Sequence, residues 1–187
     1  MTNILVTGAG GGGGNNMIQC IRRLFKSDLK IIGTNCSENY IAMSTSDETF
    51  IAPEATTKNY LSRINYLKNK YKVDLIIPCN DREVFALSKA KILKNVLFLP
   101  NEELIRSVQN KSDFFKLARN ASVRVPMNFP LNTFEEIEEK FNLLKSYSDR
   151  VWIRPKKGSG IKAATWVNTF DQAIMWIKLW VEMRKFK

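Results

Sequence analysis

Apolar positions along this chain switch repeatedly between two spacings. Asn3-Ile4-Leu5-Val6-Thr7 is a short, nearly continuous apolar run, the pattern of a strand buried on both faces of a parallel sheet. The glycines from Gly8 to Gly14 follow it, interrupted only by Ala9, and then Asn15-Asn16. Met17, Ile18, Ile21, Leu24 and Phe25 recur at helical spacing and predict a helix with one apolar face, its N-cap at Asn15 or Asn16. The same switch recurs downstream. Short apolar runs predict strands at residues 29–34, 49–51, 73–78 and 96–99, with Pro53, Pro78 and Pro100 as stops. Helical spacing returns at Tyr60, Ile64, Leu67 and Tyr71, at Val84, Leu87 and Ala90, and after Asn101 at Leu104, Ile105 and Val108. That order predicts a doubly wound α/β domain, an open parallel sheet of about five strands with helices on both faces. Its ligand crevice belongs at the carboxyl ends of the strands. There the glycine run, Thr34-Asn35 and residues 80–83 come together.

Near Asn110 the pattern changes. Phe114, Phe115, Leu117 and Ala118 predict a short helix, and Val123-Arg124-Val125-Pro126 a brief extended piece. Thr133-Phe134-Glu135-Glu136 and Thr169-Phe170-Asp171-Gln172 have the form of capping boxes. The first opens a helix through Ile137, Phe141 and Leu144. The second opens one with Ala173, Ile174, Ile177, Trp180 and Val181 inward. Between them, residues 150–155 and 161–167 read as two strands joined by Lys156-Lys157-Gly158-Ser159-Gly160. Two domains are expected, residues 1–109 and 110–187.

Composition removes several classes of chemistry. The 187 residues contain no histidine, which excludes Ser-His-Asp and Cys-His catalysis and imidazole metal sites within this chain. Cys20, Cys36 and Cys79 are too widely spaced for a metal or redox motif. Cys20 is expected to pack in its helix. Cys36 and Cys79 fall just past strands, as reactive thiols or as small half-buried residues. No run is long and apolar enough to span a bilayer, and the first residues lack the form of a signal peptide, so a cytoplasmic location is the default expectation. The net charge of +11 is uneven: residues 1–50 carry four basic and four acidic groups, residues 51–100 nine and four, residues 101–187 sixteen and ten. Such an excess favours anionic ligands. No nucleic-acid recognition motif accompanies it, so a small phosphate ligand is the better expectation.

Three places carry candidate chemistry. Gly8, Gly10 and Gly13 satisfy G-x-G-x-x-G, the dinucleotide fingerprint, yet with so many glycines the same run also serves as a bare strand–helix corner. Thr34-Asn35 stands where a dinucleotide site carries an acid for the ribose, which counts against NAD. Asp81 and Glu83 sit where they would bind a cation or a substrate amine, or simply cap the next helix. The sharpest signal is residues 154–162. Gly158 and Gly160 let backbone amides approach an anion, Ser159 adds a hydroxyl, and Arg154, Lys156, Lys157 and Lys162 surround them with charge. Strand alternation puts Trp152 and Arg154 on one face, Val151 and Ile153 on the other. The alternative is an exposed turn with solvated lysines.

These landmarks together resemble a known family. Ile4-Leu5-Val6-Thr7-Gly8-Ala9-Gly10, Val73-Asp74-Leu75-Ile76-Ile77-Pro78 with Asp81 and Glu83, Asn110-Lys111, Val125-Pro126, and Val151-Trp152-Ile153-Arg154-Pro155 before Gly158-Ser159-Gly160 look like an ATP-grasp enzyme of the carbamoyl-phosphate synthase large-subunit type. The resemblance implies a Rossmann-like pre-ATP-grasp domain followed by the N-terminal, α+β lobe of an ATP-grasp domain. It implies that Lys111 and Arg154 contact the nucleotide and that residues 157–161 fold over the phosphates, with Lys162 where many relatives have arginine. It implies ATP and Mg2+ as cofactors, a small carboxylate as substrate, and an amine or similar nucleophile attacking an acyl phosphate. In the family the magnesium-binding residues and the second lobe lie beyond the length matched here. The resemblance therefore also implies a chain that turns over little alone, with a second polypeptide or a further copy at an apolar surface around Trp176, Trp180, Met183 and Phe186. A Rossmann-type nucleotide-binding domain without catalysis is the alternative.

Overall fold

The structure, a computed structural model, describes residues 1–25, 28–158 and 161–183. The chain divides into two compact units, Met1–Arg106 and Ser107–Lys187.

Unit 1 is built on a parallel sheet in the order β3-β2-β1-β4, formed by β1 (Thr2–Thr7), β2 (Leu29–Asn35), β3 (Glu48–Ile51) and β4 (Leu75–Ile77). β1 is central, with Leu5 opposite Ile32 on one side and Ile76 on the other. Successive side chains point to opposite faces, so one short run feeds two cores. Leu5, Ile32 and Ile76 pack with Tyr60, Ile64 and Leu67 of α3 (Tyr60–Lys70) and Leu87 of α4 (Asp81–Ser88). Ile4, Val6 and Ile31 pack with Ile18 and Ile21 of α1 (Gly12–Leu24). Asp47 ties these layers together: Arg22 of α1 meets its carboxylate at 2.7 Å and the Ile31 amide donates to it at 2.7 Å. Burial alone would raise the Asp47 pKa, but these partners hold it below the ordinary carboxylate value.

Several expectations are corrected. α1 starts at Gly12 with Gly11 at the N-cap, so neither Asn15 nor Asn16 caps it. Only Ile18 and Ile21 of the expected apolar stripe are buried; Met17, Leu24, Phe25 and Cys20 are exposed. The stripe is narrower because α1 faces the sheet only along Gly14, Ile18 and Ile21. A short helix, α2 (Glu38–Ala42), lies between β2 and β3. The fifth strand shrinks to a single parallel bridge between Ile76 and Leu97, preceded by a 3-10 turn over Lys91–Val96. Phe98 stands 95% exposed beside it. A run of four apolar residues marks a buried strand only if both faces find cover, and here one does not.

α5 (Glu102–Gln109) carries an Asn101 cap, whose side chain accepts from the Leu104 amide at 2.8 Å. In unit 2, α6 (Lys111–Asn120) is followed by α7 (Glu136–Lys145), the antiparallel pair β5 (Val151–Ile153) and β6 (Thr165–Val167), and α8 (Phe170–Glu182). Ile137, Phe141, Val151, Val167 and Ala173 form its core. The second capping box holds in substance: Thr169 accepts from the Gln172 amide, and the Gln172 side chain accepts from the Asn168 amide at 2.8 Å. The first does not, since α7 begins at Glu136 with no side-chain cap. The returning strand is three residues long, not seven. Residues Ile161 and Ala163 turn into the left-handed region before it, at φ 60° and 57°. No helix among the described residues is long and apolar enough to cross a membrane.

Candidate functional site

In unit 2 the hairpin and the start of α6 build one site. Val151, Trp152 and Ile153 pair with Val167, Trp166 and Thr165. Val151 and Val167 point into the core, so Trp152 and Trp166 share the opposite face, with ring centroids 4.9 Å apart. Arg150 stacks on Trp166 at 4.9 Å, and Arg154, two residues past Trp152, lies over the Phe115 ring at 5.4 Å. The chain then turns through Lys156, Lys157 and Gly158, all exposed. Gly158 takes φ 112°, a conformation that favours glycine.

α6 holds this turn. Asn110 caps the helix by accepting from the Ser112 amide at 3.1 Å. The Lys111 amide donates to the Lys156 carbonyl at 2.9 Å, and the Lys111 ammonium donates to the Gly158 carbonyl at 2.7 Å. Lys156 itself donates to the Asn132 side chain at 2.8 Å. A cavity of about 710 Å³ opens beside the turn, with Lys111, Phe115, Trp152, Arg154 and Lys157 on its wall. Its deeper wall is apolar, including Ile177 and Trp180 of α8. Cations at the rim, aromatic rings and a turn with backbone groups exposed suit an anion carrying an aromatic group.

Of the residues picked out by sequence, Lys111, Arg154, Lys157 and Gly158 are thus brought together. Lys162 is exposed and is not on the cavity wall. Ser159 and Gly160, like Phe186, lie outside the described residues. Trp176 and Trp180, expected on an apolar surface, are half-buried on the cavity wall, and Trp176 donates to the Ala163 carbonyl at 3.0 Å. Sequence reasoning missed Phe115 beneath Arg154 and the Trp152–Trp166 pair. The pair was accessible from strand alternation once the register of the hairpin is known.

In unit 1 the glycine run is packed from within. Gly8 and Gly10 take φ 69° and 83°. A Cβ on Gly10 would lie 1.7 Å from the Tyr40 carbonyl oxygen of α2, and one on Gly14 would lie 2.3 Å from the Gly8 carbonyl oxygen. Gly13 meets nothing closer than 3.6 Å, so Gly14 is the glycine that close packing requires. Asn15 fastens the corner by accepting from the Gly10 amide at 3.0 Å and donating to the Met43 carbonyl at 2.9 Å. At the same carboxyl end of the sheet Asp81 is exposed in the first turn of α4, whereas Glu83 is buried. Among the described residues no group of three or more His, Cys, Asp or Glu is placed to hold a metal ion.

Residues 4–96 match the family model of the PylC-like N-terminal domain. No curated protein matches the chain in sequence. Among solved structures, the L-amino acid ligase from Bacillus licheniformis aligns with 97% of this chain and 42% of its own, at 10% identity and a TM-score of 0.67. The N5-carboxyaminoimidazole synthetase from Staphylococcus aureus, solved with ADP, aligns with 95% of this chain and 45% of its own, at 16% identity and 0.67. The biotin carboxylase domain of the 2-oxoglutarate carboxylase from Hydrogenobacter thermophilus, a dimer solved with MgADP, ADP and bicarbonate, gives 93%, 39%, 15% and 0.57 in the same order. The chain spans less than half the length of each. At these identities the likeness is one of fold.

Proposed function

Residues 4–96 match the model of the PylC-like N-terminal domain and the chain has the fold of the N-terminal part of ATP-grasp enzymes, and on that ground we propose that unit 2 binds the phosphates of ATP. The observation that carries this reading is the convergence of Lys111, Arg154 and Lys157 on one cavity beside the Gly158 turn. Lys111 and Arg154 neutralise and orient the phosphates, and the turn at Lys157 and Gly158 borders them, with Lys162 adding charge from outside. Trp152 offers a flat face to the base. The chemistry is activation of a small carboxylate for attack by an amine, in which this chain's contribution is positioning and charge neutralisation. In unit 1, exposed Asp81 is the group suited to a substrate amine, whereas the space at Gly10 is filled by the Tyr40 carbonyl and Glu83 is buried against Thr7.

The wall residues of the unit 2 cavity do not fit Mg2+, because none of them is a carboxylate and this ion needs oxygen ligands. Further polypeptide, from a second chain or another copy, covers the apolar wall around Trp180. Light scattering at high concentration is the check on that cover, and a strictly monomeric species speaks against it.

All four tryptophans, Trp152, Trp166, Trp176 and Trp180, belong to unit 2, so their fluorescence reports ligand binding there. Titration with ATP should change that signal, NAD should not, and Arg154→Ala should weaken the ATP response by about tenfold or more, as expected for a lost charge-assisted bond. An ATP response equal in Arg154→Ala and the parent would sink the reading.

A further inference from the structure

We propose that Glu83 is held as a neutral carboxylic acid and acts as the proton-dependent tie that positions the glycine corner of unit 1. This does not rest on the ATP reading. Glu83 is 6% exposed, in the first turn of α4. Its Oε2 accepts from the Thr7 hydroxyl at 2.7 Å, at the last residue of β1, and from the Asn80 side-chain amide. Asn80 in turn accepts from the Glu83 amide at 3.0 Å, so helix cap and carboxyl form one unit. A Cβ on Gly8 would lie 3.5 Å from Oε2, which places the carboxyl directly against the corner. The fully buried Tyr60 hydroxyl, from the first residue of α3, lies beside Thr7 and Glu83 without a hydrogen bond of good geometry. One carboxyl thus meets β1, α3 and α4.

Every group facing it is neutral. Thr7 comes from β1, Tyr60 from α3, and Asn80 and Cys79 from the loop before α4, with Cys36 near Tyr60. Among the described residues no lysine or arginine pairs with Glu83. A carboxylate there would be a buried charge without a counter-ion, and such groups take up a proton instead. Burial pushes Glu83 above the ordinary carboxylate range, against the opposing hydrogen bonds from Thr7 and Asn80 and the nearby Tyr60 hydroxyl. Its neighbours respond in the same sense. The Cys79 thiol is pushed up to about 11 by burial and by proximity to Glu83, and burial raises the Tyr60 phenol. The sign follows from linkage. A raised folded pKa means the tie is fully present below the unfolded carboxylate value and weakens as pH rises through the folded one.

The test uses the full chain, with hydrogen exchange read by mass spectrometry on peptides covering residues 4–10 and 80–88 from pH 5 to pH 8, corrected for intrinsic exchange. Protection of these peptides should fall with rising pH, about tenfold for each unit by which the titration is displaced. Glu83→Gln keeps the shape and neutrality, so it should hold its protection across the range. Glu83→Ala should lose protection at every pH. Peptides over residues 150–158 should not respond. Three results each overturn the proposal: protection of the parent that is flat with pH, a Glu83→Gln chain that follows the parent's pH trend, or a Glu83→Gln chain as unprotected as Glu83→Ala.

Discussion

Each unit contains a glycine turn at the end of a strand, and the two are used in opposite ways. In unit 1 the space that Gly10 and Gly14 leave is taken by the chain itself, the Tyr40 carbonyl in one case and the Gly8 carbonyl in the other. In unit 2 the turn at Gly158 is exposed, held from one side by Lys111 and bordered by a cavity with cations on its wall. Missing side chains therefore measure only the room available to a close neighbour. That neighbour is backbone in one unit; in the other, open space remains.

The most severe perturbation of the unit 1 corner is Gly10→Val. It puts a β-branched residue at φ 83° and a carbon against the Tyr40 carbonyl. A cost of about 3 kcal/mol or more is expected, a large part of a small domain's stability. Denaturant unfolding followed by hydrogen exchange in unit 1 peptides should show it, with the tryptophan signal of unit 2 unmoved. A Gly10→Val chain as stable as the parent would mean the corner is open after all. Next is Lys111→Ala. It removes the bond to the Gly158 carbonyl and a cation from the cavity wall, so ATP affinity should drop by about tenfold, as for loss of a hydrogen bond to a charged group. Calorimetric titration is the measurement. Raising the salt from about 0.05 to 0.5 M should weaken ATP binding severalfold, because the rim charges are exposed, while protection at the unit 1 corner stays constant.

Asp47→Asn sets the smallest effect. The folded Asp47 pKa is depressed, so its stabilisation is present above the unfolded carboxylate value and is lost as pH falls through the folded one. The side chain is 37% exposed, and solvent screening limits the loss to about 1 kcal/mol or less. Thermal unfolding of the parent and the variant should converge below about pH 4 and separate above it. Glu83 runs the other way, so the two variants should change the pH profile of unit 1 in opposite senses.

Much of this architecture was legible along the chain. The apolar run at residues 4–6 and the runs at 31–32 and 75–77 marked a parallel sheet, because a strand covered on both faces cannot alternate. The alternation at residues 151–154 correctly put Trp152 opposite Val151 in facing, Arg154 was marked by the charge around the glycine turn, and Lys111 by resemblance alone. The fifth strand was not legible, because four apolar residues look alike whether or not a neighbour covers Phe98. The capping box at residues 133–136 failed for a related reason: Glu136 is engaged instead by the Asn132 amide and by Lys140.

Local features are written in the chain itself: period, turn residues, the cap at Thr169, and the crowd of positive charge around one short loop. Occupancy is set by packing alone. Whether Gly10 faces a ligand or Tyr40, whether Glu83 faces water or Thr7, and whether Arg154 is free or laid on Phe115 all depend on residues distant in the chain. Such contacts arise from packing of elements, and no spacing rule along a strand or helix encodes which element arrives to fill a gap.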